Sequence, residues 1–148
     1  MRFNGRVLVI GLGGVARCAL PLFIRHLAIP SNRYTVMDFS HDKVITDAAR
    51  SVVEMGMNFV NERIAKENMA VQLGRFLQTG DLCVDLGWNI GCNDVLQWCR
   101  DHGVLYLNTS VEAWDPYEGM HMKTPPERTL YVRHMALRKM MTGWDDPK

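Results

Sequence analysis

The sequence predicts an α/β protein: a Rossmann-like, doubly wound parallel sheet with helices on both faces. Three observations predict it. Apolar, strand-like runs alternate with helical patterns along the chain, a glycine-rich turn joins the first run to the first helix, and an acidic residue stands near the end of the second run.

Residues 6–10 are short, β-branched and apolar, the pattern of a strand buried on both faces. Beyond the glycines, residues 15–27 carry a helical apolar pattern that Pro30, Ser31 and Asn32 end; Pro21 lies inside it and is expected to kink it. Residues 34–39 read as a second strand, with Met37 and Phe39 as core residues around Asp38. The turn Ser40–Asp42 can cap a helix over 43–55, which Gly56 stops. A third strand is expected at 58–64 and a helix at 66–77. Gly80 and Asp81 turn the chain into a fourth strand at 82–86, a helix at 93–102 and a fifth strand at 104–108. Residues 115–126 read as loop, and a final helix is expected from near Pro126 to about Met141. Strands and helices alternating in this way imply right-handed crossovers, with ligands held beyond the carboxyl ends of the strands.

The bulk composition narrows the function classes. Of the 148 residues, 47% are hydrophobic and 22% charged, ordinary for a globular protein. A formal charge of +1 offers no clustered basic face for nucleic acid or an anionic membrane. The densest basic stretch, Arg133 to Lys139, is broken by apolar residues at helical spacing and reads as a solvated helix face. The apolar stretch 7–27 contains Arg17 and Arg25 and three glycines, so it is not a membrane span. Cys18, Cys83, Cys92 and Cys99 form no Cys-x-x-Cys pair, and no metal site is expected. Without a signal peptide, free thiols in apolar settings and a cytoplasmic location are expected.

Gly11-Leu12-Gly13-Gly14-Val15-Ala16 matches the dinucleotide fingerprint GxGxxG/A between a strand and a helix. Gly11 permits the tight turn, Gly13 a close backbone approach to a pyrophosphate, and Ala16 close packing of helix on strand. The first helix amides, at Gly14 and Val15, and the positive end of the dipole then face the phosphates. Asp38, 22 residues beyond Ala16, suits the adenosine ribose hydroxyls and would repel a 2′-phosphate, so NAD is expected over NADP. The plainer alternative is a glycine-rich turn with Asp38 as a helix cap. Asp85, inside an apolar strand, receives no role: a carboxyl there can lie near the nucleotide, bond to nearby backbone or titrate upward.

A second polar cluster follows strands four and five. Gly87 allows close passage of a ribose, and Asn89, Asn108 and Thr109 can donate and accept hydrogen bonds there. Glu112 is a candidate to bind an amine, with a turn or surface carboxylate as the alternative.

Four segments together carry a family resemblance: the glycine fingerprint, Asp85–Asn89, Asn108–Asp115, and Pro126-Glu127-Arg128-Thr129-Leu130-Tyr131. They resemble bacterial homospermidine synthases, within the saccharopine dehydrogenase-like Rossmann proteins. The resemblance implies a bound NAD that takes a hydride from putrescine, lets a second putrescine displace ammonia from the imine, and returns the hydride. It also implies Glu112 as a carboxylate for the cationic amine and Trp114 as aromatic support. Family members are several times longer, so residues 1–148 are expected to form the dinucleotide-binding domain, truncated before the catalytic and dimerisation domain and not active alone. The alternative is a stand-alone dinucleotide-binding module with a regulatory or partner-binding role. Leu130, Met135, Leu137, Met140 and Met141 on the last helix would then face a partner chain or a second copy.

Overall fold

The computed structural model describes residues 3–39 and 42–144. Five strands, β1 (Val7–Ile10), β2 (Tyr34–Asp38), β3 (Asn58–Asn61), β4 (Leu82–Asp85) and β5 (Leu105–Asn108), form one sheet in the order β3-β2-β1-β4-β5. Every pairing is parallel. Parallel neighbours cannot be joined by a tight turn, so helices make the crossovers. These are α1 (Gly14–His26), α2 (Lys43–Glu54), α3 (Met69–Phe76) and α4 (Cys92–Asp101), and α5 (Leu130–Met141) follows β5.

Period-two alternation along β1 divides the core into two layers. Val7 and Val9 pack with Ala16 and Leu20 of α1 and Val52 of α2. Leu8 and Ile10 face the other way, onto Leu73 of α3 and Val95, Trp98 and Cys99 of α4. Burying each such aliphatic side chain stabilises the fold by about 1.5–3 kcal/mol. The chain steps outward from β1 to β2 and β3, then returns to β4 on the other side of β1. Strand order therefore reverses between β1 and β4, and the crevice beyond their carboxyl ends is where this architecture binds ligands.

Several elements differ from expectation at their ends. β3 stops at Asn61 and α3 begins only at Met69. The Asn68 side chain organises the turn between them: it accepts from the Ala65 amide at 2.8 Å and donates to the Arg63 carbonyl at 3.0 Å. α1 continues through Pro21 as one helix; Pro21 is exposed, so the carbonyl that loses its partner faces water. The last helix is split. Pro125–Arg128 form a 3-10 turn, braced by Glu127 accepting from the Thr124 amide at 2.8 Å, and the α-helix starts only at Leu130.

Two side chains expected in apolar surroundings are not. Phe39 lies just past the end of β2 and is half-exposed, and the Cys18 thiol is exposed on α1. Of the expected Ser40–Asp42 cap, Asp42 accepts from the Val44 amide at 2.8 Å, while Ser40 lies outside the described residues. No helix among the described residues is long and apolar enough to cross a membrane.

Candidate functional site

The switch-point crevice is shaped by the turn after β1. Gly11 holds a φ of +89° and donates its amide to the Met37 carbonyl at 2.8 Å. A Cβ there would stand 2.8 Å from the Leu86 carbonyl oxygen and 3.0 Å from the Gly87 Cα, so glycine alone fits. Leu12 is buried as an anchor, and its amide donates to Asp38 Oδ2 at 2.7 Å. Gly13, Gly14 and Val15 are exposed, and a Cβ at either glycine would meet nothing within 4 Å. Among the described residues no side chain caps α1, and its first turn carries no acidic residue. Ala16 is fully buried and seats the helix on the sheet. An open helix N-terminus behind bare glycine backbone can take a phosphate.

A cavity of about 390 Å³ opens beside this turn. Gly11, Gly13, Asp38, Gly87 and Asn89 line it, together with residues from the end of β3 that the sequence did not single out. Among these, the Arg63 guanidinium lies over the Phe39 ring, 5.1 Å from its centroid. Glu62 also lines the wall, but its carboxylate accepts from Gln72 and Arg75, both at 2.7 Å, and these bonds hold its pKa below the usual range. A more open groove of about 750 Å³ lies between α3 and α4, past Val71, Trp98 and His102, and contains none of the predicted residues.

Beyond β4 and β5 sits a second polar cluster. Asp85, buried at the end of β4, accepts from the Gly87 amide at 3.1 Å and from the Tyr106 hydroxyl at 2.9 Å. Burial raises its pKa against those two bonds, and the Glu112 charge adds to the rise. Burial likewise pushes the Tyr106 hydroxyl up, followed by the charge of Asp85, so it stays a donor. Asn89 adopts a φ of +56°, and its buried Oδ1 has no hydrogen-bond donor among the described residues. Such an oxygen is an acceptor without a partner, which a polar ligand can satisfy. Asn108 donates to the Ser110 carbonyl at 2.7 Å, and the Ser110 hydroxyl donates to Glu112 at 2.6 Å. Thr109 is exposed.

The predicted residues thus fall into three places. Gly11, Gly13, Asp38, Gly87 and Asn89 share the cavity, with Gly14 and Val15 following at the open start of α1. Asn108 ends β5 beside Asp85, and Thr109 and Glu112 follow just past it. Trp114 sits at the start of α4: its indole donates to Asp94 at 2.6 Å and its ring packs beside Gly91. Sequence reasoning missed Tyr106 and Arg63. The first had a signal in strand alternation, which puts it diagonal to Asp85 on one sheet face; the second had none, because it lies beyond the strand end. No cluster of potential metal ligands occurs among the described residues.

The sequence and the fold have relatives among known proteins. Residues 7–147 match the model of the saccharopine dehydrogenase NADP binding domain. The homospermidine synthase of Mesorhizobium japonicum is 36% identical over 140 residues, covering 92% of this chain and 28% of the relative. That of Blastochloris viridis is 32% identical over 117 residues, covering 76% and 23%. The chain therefore spans roughly a quarter of the length of these relatives. The crystal structure of a Legionella pneumophila homospermidine synthase in complex with NAD superposes with a TM-score of 0.69 at 23% identity, over 84% of this chain and 28% of that one, a likeness of fold. With nearly its whole length matched and the glycine turn in place between β1 and α1, the chain belongs to the saccharopine dehydrogenase NADP binding domain family.

Proposed function

We propose that this chain holds NAD and serves as the coenzyme-binding part of a homospermidine synthase-type enzyme. The observation that carries the reading is the uncapped N-terminus of α1 behind the Gly11 turn, opening at the β1/β4 switch point. Its free amides and bare glycine backbone suit a pyrophosphate. Asp38 offers a carboxylate to ribose hydroxyls on the neighbouring strand end, and Gly87 leaves room for the coenzyme to pass. Asn89 Oδ1 accepts a hydrogen bond from the bound ligand. Bound NAD supplies a hydride acceptor and donor. On this chain's side, Glu112 holds a protonated amine of the putrescine class by charge pairing, oriented by Ser110. The two carboxyls Asp85 and Glu112 divide the work: buried Asp85 fixes the turn, and Glu112 meets the cation.

The rest of the synthase reaction belongs, in this reading, to the part of the relatives' length that this chain does not span. The second reading is a stand-alone dinucleotide-binding module that docks a partner. It is favoured by half-exposed Leu105 and Leu107 on the edge strand β5 and by α5, which buries no residue. Calorimetric titration with NAD tests the shared core of both, and an assay for homospermidine and ammonia from putrescine separates them. Product formation only after adding the remainder of a relative's polypeptide favours the first. Unaided, sustained turnover by this chain contradicts the division of labour.

A further inference from the structure

We propose that Arg63 is a coenzyme-selectivity residue. Its guanidinium supplies an attraction for a 2′-phosphate that the Asp38 carboxylate overrides, so NAD preference is a balance between two side chains. The inference rests on the dinucleotide reading of the site.

Asp38 ends β2, Phe39 follows it, and Arg63 stands over the Phe39 ring, with all three lining one cavity. A guanidinium is thereby stationed on the wall that carries the ribose-facing carboxylate. The stack on Phe39 restrains its long side chain, which reduces the entropy lost when it binds an anion. The Arg63 guanidinium is also uncommitted: the three ion pairs among the described residues do not include it. The adjacent carboxylate, Glu62, is held by Gln72 and Arg75. A planar fork of donors with no acidic partner is the group that suits a phosphate monoester. Of the two carboxylates on the cavity wall, Glu62 pairs with Arg75, whereas Asp38 braces the Leu12 amide and opposes the phosphate. Removing its charge while keeping an acceptor for that amide should uncover the phosphate preference.

The test is a double-mutant cycle read as NAD and NADP affinity by calorimetry at fixed ionic strength, on wild type, Asp38→Asn, Arg63→Ala and the double variant. Wild type is expected to favour NAD. Asp38→Asn should gain roughly tenfold in NADP affinity, the size of one charge-assisted hydrogen bond. That gain should vanish in the double variant. Arg63→Glu provides a route that leaves the Leu12 brace untouched: at this exposed position it should lower NADP affinity about tenfold more than it lowers NAD affinity. Equal NADP affinity in Asp38→Asn and the double variant would overturn the inference, as would an Arg63→Glu protein that discriminates no better than wild type. Failure of folded wild type to bind either dinucleotide would instead overturn the reading beneath it.

Discussion

Asp38 Oδ2 accepts a hydrogen bond from the Leu12 amide at 2.7 Å, joining the end of β2 to the centre of the glycine turn. The two residues are 26 apart in sequence, and the bond gives Asp38 a role in building the site besides any contact with a ribose. Asp38→Ala strands a buried amide and is expected to cost about 1–3 kcal/mol of stability. Asp38→Asn keeps the acceptor and should cost less than about 1 kcal/mol. Denaturant melts of the two proteins check this; equal losses would show that the bond does not brace the turn.

Asp85 makes stability depend on pH. Its pKa is raised in the folded state, chiefly by burial, so the folded protein binds a proton that the unfolded chain has released. Its favourable contribution is complete below the unfolded value of about 3.9 and is lost as pH rises through the raised folded value. Asp85→Asn should flatten that part of the curve. Tyr106→Phe removes one of its two donors, moving the loss to still higher pH and costing about 1–3 kcal/mol near neutrality. Unfolding free energies measured across the acid range, taken as differences from Asp85→Asn, report it.

The thiols should divide one against three. Cys18 is exposed, whereas Cys83, Cys92 and Cys99 are buried. The Cys83 thiol is pushed up by its bond to Cys99 and then by burial, and the Cys92 thiol mainly by burial. An aromatic disulfide reagent should label one thiol promptly in the folded protein and all four in denaturant.

The end of the sheet away from the site is pinned by Asp81. Its carboxylate accepts from the Arg6 amide at 2.7 Å and the Gln78 amide at 2.9 Å, and it pairs with the Arg6 guanidinium at 2.9 Å. Arg6 is about half-exposed, so the ion pair itself is screened and the amide bonds carry most of the effect. Asp81→Ala should lower stability by about 2 kcal/mol while leaving NAD affinity within about twofold. A calorimetric melt and a titration of the same sample measure both.

Local pattern made the frame legible. The β-branched run of β1, the glycines after it and the carboxylate ending β2 act through neighbours in sequence, and the parallel sheet follows from their alternation with helices. What was not legible depends on distant partners. Nothing within residues 58–64 shows that β3 ends at Asn61 or that the next residue, Glu62, bonds to Gln72 and Arg75 of α3. Strand alternation placed Phe39 in the core, but β2 stops one residue earlier and leaves the ring at the cavity. The bond from the Trp114 indole to Asp94 spans 20 residues, and no local pattern announces it. The Asp85–Tyr106 pair needs the register of β4 against β5, in which Asp85 aligns with Asn108. Within the candidate site, the turn was thus foreseen and its bracing was not.

The most direct test is NAD calorimetry on the folded wild-type protein beside Gly13→Val. A Cβ at Gly13 meets nothing within 4 Å, so the substitution fills the proposed phosphate cradle without forcing a clash in the fold. Wild type is expected to bind NAD saturably and one-to-one, and the variant at least about a hundredfold more weakly with a melting midpoint within a few degrees. A folded wild type that binds no NAD, or a variant that binds it equally well, would contradict the claim that α1's open end holds the coenzyme.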